Sequence, residues 1–286
     1  MKRFSILSAL ICGIMFTSCE KIDFAGFLSI TNTHVNDRFD ASMKLLETKP
    51  VADLNVSSDE YVFHIVTDIH YDGTNDRLER LVSSCVGDSE TEKVVLCLGD
   101  FNSKRGVQSQ IYAKIQPLYD AGWRFLPALG NHDIFFGEFD KFSKYWPLTT
   151  YTFNVNMPSG ERDFFICLDT AEGSCGTSQR QWLENQLKDA AGRYRNIYVY
   201  THTNFFNTDN TQITSGNFSL EETHDLMSLF SSYGVSCVLT GHDHYFENCI
   251  FREVSYYTLN ALCNEPGSYY KAQFGKELQL TELTIE

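Results

Sequence analysis

The chain of 286 residues has no basic run, no Cys-x-x-Cys pair, no internal repeat and no low-complexity tract. It carries 23 Lys and Arg against 37 Asp and Glu, a formal charge of −14. Proteins that bind nucleic acid in general present a basic face to its phosphates. That class is therefore not expected, whereas a small phosphorylated molecule meeting one local cation stays admissible. No apolar stretch near the N-terminus reaches the roughly 20 residues that a bilayer span needs. Phe4 to Phe16 is uncharged and apolar over only about 13 residues.

That stretch follows Lys2 and Arg3 and runs into "FTSCEK", with Thr17 and Ser18 directly before Cys19. A basic start, a short apolar region and small residues at a cleavage point are the parts of an export signal. The cysteine at that point resembles a bacterial lipoprotein signal. Residues 1–18 would be removed and Cys19 lipidated, giving an exported protein anchored to a membrane and facing the periplasm or the cell exterior. A plainly cleaved signal or an uncleaved anchor are the alternatives. Loss of Lys2 and Arg3 takes the charge to −16. Residues 19–60 read as a polar tether with a short helix near Ala41 to Glu47, and 61–286 as the working domain. Export permits disulfides. Cys97, Cys167 and Cys237 nevertheless lie in apolar runs that suit buried thiols, and spacing does not decide pairing among Cys85, Cys175, Cys249 and Cys263.

From Tyr61 onward short β-rich runs alternate with amphipathic segments: "YVFHIVT", "KVVLCL", "WRFLPAL", "NIYVY" and "VSCVL". Such runs read as buried strands. Two helices carry capping-box spacing. One pairs Ser178 with Gln181 ahead of Trp182, Leu183, Leu187 and Ala190. The other pairs Ser219 with Glu222 ahead of Leu226, Leu229 and Phe230. Strand–helix alternation predicts an α/β fold. "YTFNV", "DFFICLD" and "VSYYTLN" are not all separated by helices, so a purely parallel sheet is not expected.

Each of the five runs ends in the same kind of residue. The first is followed by Asp68 and His70, the second by Asp100, the third by Asn131, His132 and Asp133, the fourth by His202, and the fifth by His242 and His244. Ligands of open α/β sheets bind beyond the carboxyl ends of strands. In an extended segment residues i and i+2 share a side, so His242 and His244 would face one volume. Asp68, His70, Asp100, Asn131, His202, His242 and His244 offer carboxylate, amide and imidazole donors, a set suited to first-row divalent ions without thiolate. Seven donors exceed the needs of one ion that keeps water. They fit two ions sharing a carboxylate, the arrangement used for in-line attack at phosphorus.

The order D-x-H, G-D, G-N-H-D, a lone His and G-H-x-H resembles the calcineurin-like metallophosphoesterase family, over roughly Tyr61 to Phe246. The resemblance implies two packed mixed β-sheets flanked by helices, a four-layer αββα sandwich. It also implies that Asp68, His70 and His244 hold one ion, that Asn131, His202 and His242 hold the other, and that Asp100 bridges them. The two divalent metals would be Mn, Fe or Zn. His132 would face the substrate, a small phosphomonoester or phosphodiester attacked by hydroxide held between the ions, and would protonate the leaving group. Asp133 either orients His132 or merely caps a turn. Asn204 stands where the family often has Pro. Ser103 stands where purple acid phosphatases have a metal-bound Tyr, so a coloured ferric centre is not implied. A non-enzymatic binding protein on the same fold and a nuclease are the competing readings, and no protein partner is predicted. His64 reads as a core residue, and His34 and His224 as surface residues. Phe135, Phe136, Phe205, Phe206 and Tyr245 read as loop packing or as walls for an apolar leaving group.

Overall fold

The computed structural model describes residues 33–89, 91–206 and 217–286. The expected signal and Cys19 lie outside the described residues. Among those described, no helix is long and apolar enough to cross a membrane.

The five predicted runs form β2 (Tyr61–Val66), β3 (Val94–Cys97), β4 (Arg124–Pro127), β7 (Asn196–Tyr200) and β8 (Cys237–Thr240). Strands β2, β3 and β4 pair in parallel. With β11 (Gly267–Phe274) and β12 (Leu278–Ile285) they make a five-stranded sheet ordered β12-β11-β2-β3-β4. The second sheet adds β1 (Leu54–Asn55), β5 (Tyr151–Asn156), β6 (Arg162–Cys167), β9 (Glu247–Phe251) and β10 (Val254–Thr258). Its order is β1-β5-β6-β7-β8-β10-β9, with β5/β6 and β9/β10 antiparallel.

Side-chain alternation builds the layers. Phe63, Ile65, Val94, Leu96, Phe165, Tyr198 and Tyr200 form the core between the sheets. Val66, Val95 and Cys97 point the other way, under α2 (Arg77–Gly87) and α3 (Gln108–Asp120). Ile166, Val199 and Val238 lie under α5 (Thr177–Ala190) and α6 (Leu220–Ser232). Strands buried on both faces read as continuous hydrophobic runs, which is why these five were legible. The result is the expected four-layer α/β/β/α sandwich.

The stretch expected to be a tether is packed structure from Val35 onward. Helix α1 (Val35–Leu46) buries Val35, Arg38, Phe39 and Ser42, one stripe at helical spacing. Phe39 meets Trp182 of α5 edge-on. Arg38 is 1% exposed and grips both oxygens of buried Asp169, at 2.7 and 3.0 Å. A buried arginine in a polar segment carries no periodic signal, so the sequence favoured a tether. The capping of α5 also differs. The helix starts at Thr177 after Gly176, and the Ser178 amide donates to Asn36 Oδ1 of α1. Ser219 does cap α6, accepting from the Glu222 amide at 3.2 Å. The stretch "YTFNV" forms β5, and a short helix α4 (Phe139–Phe142) precedes it. The seven described cysteines are all free, five of them buried.

Candidate metal centre

The polar tips after β2, β3 and β4 meet those after β7 and β8 where the two sheets adjoin. Backbone hydrogen bonds continue the sheets into these tips. Asp68 N donates to Gly99 O, His70 N to Asp100 O, and Gly241 N to His202 O, at 3.0–3.1 Å. Two glycines are required by close approach. A Cβ on Gly130 would lie 2.1 Å from Asp100 Oδ1, and one on Gly241 would lie 1.9 Å from Thr67 Oγ1. Asp68, His70, Asp100, His242 and His244 all have φ between +43° and +77°. Left-handed backbone in a non-glycine residue costs of order 1–3 kcal/mol and concentrates at functional sites. The hydrogen-bonded tips hold that strain.

The side chains fall into two groups. In one, Asp68 Oδ1 is 3.2 Å from His244 Nε2 and 3.7 Å from His70 Nε2, and the two imidazole nitrogens are 3.2 Å apart. In the other, Asn131 Oδ1 lies 2.8 Å from His202 Nε2 and 3.0 Å from His242 Nδ1, which are themselves 3.1 Å apart. Asp100 Oδ2 stands between them, 3.4 Å from His70 Nε2 and 3.3 Å from His202 Nε2. All seven sequence candidates are thus brought together. His242 and His244 do not get there as neighbours on an extended strand. Both sit in a bend with left-handed backbone, and each joins a different group.

The supporting bonds fix which atoms face inward. His202 Nδ1 is 2.8 Å from the Leu98 carbonyl, so it donates there and leaves Nε2 to the centre. Asp68 Oδ2 accepts from Thr67 Oγ1 and from the His242 amide. The His132 amide pins Asp100 Oδ1 at 2.8 Å.

These residues fit a pair of cations. Asp68 is fully buried, and its inward Oδ1 has no hydrogen-bond partner. An ionised oxygen so placed calls for a positive charge. Imidazole nitrogens facing each other at 3.1–3.2 Å likewise need a proton or a metal between them. Burial opposes a second proton on His202, but the Asp100 carboxylate prevails and pushes it up to about 9. His244 is opposed by burial in the same way and pushed up to about 11 by Asp68. Burial and the charge on His202 push His242 down to about 4. Asp68 and Asp100 are held well below the usual carboxylate range: burial works against it, and the surrounding histidines overcome it.

His132 lies at the rim, half-buried, its ring edge-on to His70 with centroids 4.5 Å apart and against Phe135. Asp133 does not orient it. The buried Asp133 carboxylate accepts from the amides of Asp100, Phe101 and Gly130 at 2.9–3.0 Å. It is a turn cap that binds two tips together, so a catalytic Asp133 is set aside. Asn204, at the position where the family often has Pro, donates to Phe206 O and to the Asp243 carboxylate, tying the His202 tip to the His242–His244 bend. Ser103 donates to His70 O rather than reaching inward. His64 is core, packed between Trp123 and Tyr269 with Nε2 on Asp88. Phe205 and Phe206 are buried packing, while Phe136 is 59% exposed under the Arg105 guanidinium.

Sequence reasoning missed a wall of the centre. Segment 259–264 lies against it: Leu262 N donates to Thr67 O, Cys263 N to Asp68 O, and Asn264 Nδ2 to His244 O. Its residues carry no motif.

The family model for calcineurin-like phosphoesterases matches residues 61–246. No curated protein matches the chain. Among solved structures, the chain resembles a dimetal phosphatase from Danio rerio, with TM-score 0.59 and 14% identity over 79% of this chain and 98% of that one. It also resembles the anchor in the inner membrane complex of Plasmodium, with TM-score 0.63 and 13% identity over 79% and 84%. A purple acid phosphatase from yellow lupin gives TM-score 0.60 and 14% identity over 80% and 52%. At such identities these likenesses speak for the fold.

Proposed function

Because this chain belongs to the calcineurin-like phosphoesterase family, whose members are metal-dependent phosphoric ester hydrolases, we propose that it hydrolyses a small phosphomonoester or phosphodiester with two divalent cations held at the centre above. We propose further that it works outside the cytoplasm, attached to a membrane by lipid on Cys19. One observation carries the catalytic reading: Asp100 Oδ2 lies within 3.4 Å of an imidazole nitrogen in each of two donor groups.

Asp68, His70 and His244 would hold one cation, Asn131, His202 and His242 the other, and Asp100 both. The mixed oxygen and nitrogen donors suit Mn, Fe or Zn. Bound cations of this kind supply Lewis acidity toward a phosphoryl oxygen and make water acidic enough to attack phosphorus near neutral pH. The chain's own residues do the rest. The His132 amide and Asp133 hold the Asp100 tip, so that one carboxylate oxygen is fixed and the other faces both groups. The His132 imidazole, at the solvent rim, is placed to donate to a phosphoryl oxygen or to the departing alkoxide. Proton donation of that kind contributes about 10²–10⁴ in rate. Two carboxylates against two divalent charges leave the loaded centre positive within a chain of −14, which supports a small anionic substrate over a polyanion.

The test is Asp100→Ala in the full chain, assayed with Mn²⁺ or Zn²⁺ on generic monoesters and diesters. Several kcal/mol of charge stabilisation correspond to a loss of about 10³-fold in turnover, with bound metal falling below two per chain. Turnover unchanged by the substitution would refute the reading.

A further inference from the structure

Cys263 is half-buried and lies beyond the stretch matched by the family model. Its Sγ stands 3.6 Å from His244 Nδ1, within hydrogen-bond reach for sulfur. A nitrogen of His70 also lies within 4.8 Å of the cluster formed with His244 and Cys263. The opposite nitrogen of the same ring, His244 Nε2, points at Asp68 Oδ1 at 3.2 Å. The backbone on either side is fixed as well, by Cys263 N on Asp68 O and Asn264 Nδ2 on His244 O.

We propose that Cys263 is a positioning residue of the metal centre, whose sulfur accepts the Nδ1–H of His244 and thereby keeps Nε2 free for the cation. The inference rests on the proposed dinuclear site and adds a residue to it. An imidazole that gives Nε2 to a metal carries its proton on Nδ1, and that proton needs an acceptor. His202 uses the Leu98 carbonyl for this purpose; His244 has a thiol. Sulfur is a weak acceptor, but here it is the group that faces Nδ1, and His244 needs fixing because its left-handed backbone gives it no strand to lean on. Partners of this kind typically set metal affinity by 10–100-fold. Cys263 touches no reacting atom. It acts through His244.

The experiment titrates Zn²⁺ into full-length wild type, Cys263→Ala and Cys263→Ser in competition with a chelator, and reads the His244 ring nitrogens by ¹⁵N NMR in the zinc-loaded proteins. Wild type should take up two ions. Cys263→Ala should weaken one of the two by about 10-fold or more and shift the Nδ1 resonance of His244, while Cys263→Ser, with a hydroxyl to accept the proton, should recover most of both. Equal affinities and unchanged His244 resonances in all three would overturn the role of Cys263 while leaving the centre standing. Failure of wild type itself to bind two ions would instead overturn the centre. Thermal unfolding of the zinc-free proteins separates a packing defect: a lower Tm in Cys263→Ala with unaltered zinc affinity also counts against the proposal.

Discussion

His202 and His244 each hold a second proton at neutral pH, because the carboxylates beside them outweigh the cost of burial. His242, pushed down by burial and by the charge on His202, does not. A cation binds the lone pair that the proton occupies, so loading must release protons. Protons are therefore released on loading at pH 7, and the release fades as the pH rises through about 9 and about 11. Metal affinity accordingly falls as the pH is lowered. Calorimetry of Zn²⁺ binding in two buffers of different ionisation enthalpy would measure the count; no buffer dependence at pH 7 would contradict it. At this scale the motifs named all seven donors correctly as residues that meet. They did not reveal the left-handed backbone at five of them, because φ depends on the tips bracing one another. Nor did they separate the two roles open to Asp133, since a carboxylate next to a histidine in sequence can turn either way.

Helix α1 shows the same division among elements. Its stripe of Val35, Phe39 and Ser42 is ordinary, and its fourth member is the arginine buried on Asp169. Asp169 follows β6, and the next residue, Thr170, accepts from the Thr203 amide and pairs with Thr201, on either side of His202. The helix is therefore braced against the backbone that carries one donor. Removing one member of a buried ion pair leaves an uncompensated charge and costs about 3–5 kcal/mol. Arg38→Met should lose that much stability in urea unfolding and open residues 47–60 to limited proteolysis. Arg38→Met with Asp169→Leu should recover part of it, because the fully buried carboxylate is then gone, while Glu172 still loses its Arg38 partner and the Ala171 amide its acceptor. A single substitution costing under about 1 kcal/mol would mean that the pair is not the anchor of α1.

For the molecule as a whole, the four-layer sandwich is compatible with very different roles: the solved structures it resembles include two phosphatases and a membrane-complex anchor. The proposed attachment through Cys19 is independent of the fold and is tested by fractionation. Cys19→Ala should move the protein from the membrane to the soluble fraction with its metal content unchanged, and an unaltered distribution would dismiss the lipid. The alternation of buried strands with helices, and the order of polar residues after five of them, lay in the sequence alone, because burial on both faces and turn chemistry are local in their demands. Tertiary structure alone decided three things. It put His242 and His244 in a left-handed bend instead of an extended strand, it packed α1 where a tether was expected, and it brought segment 259–264 and its thiol against His244. Each depends on a contact between residues far apart in the chain, and no periodicity records which distant partner will arrive.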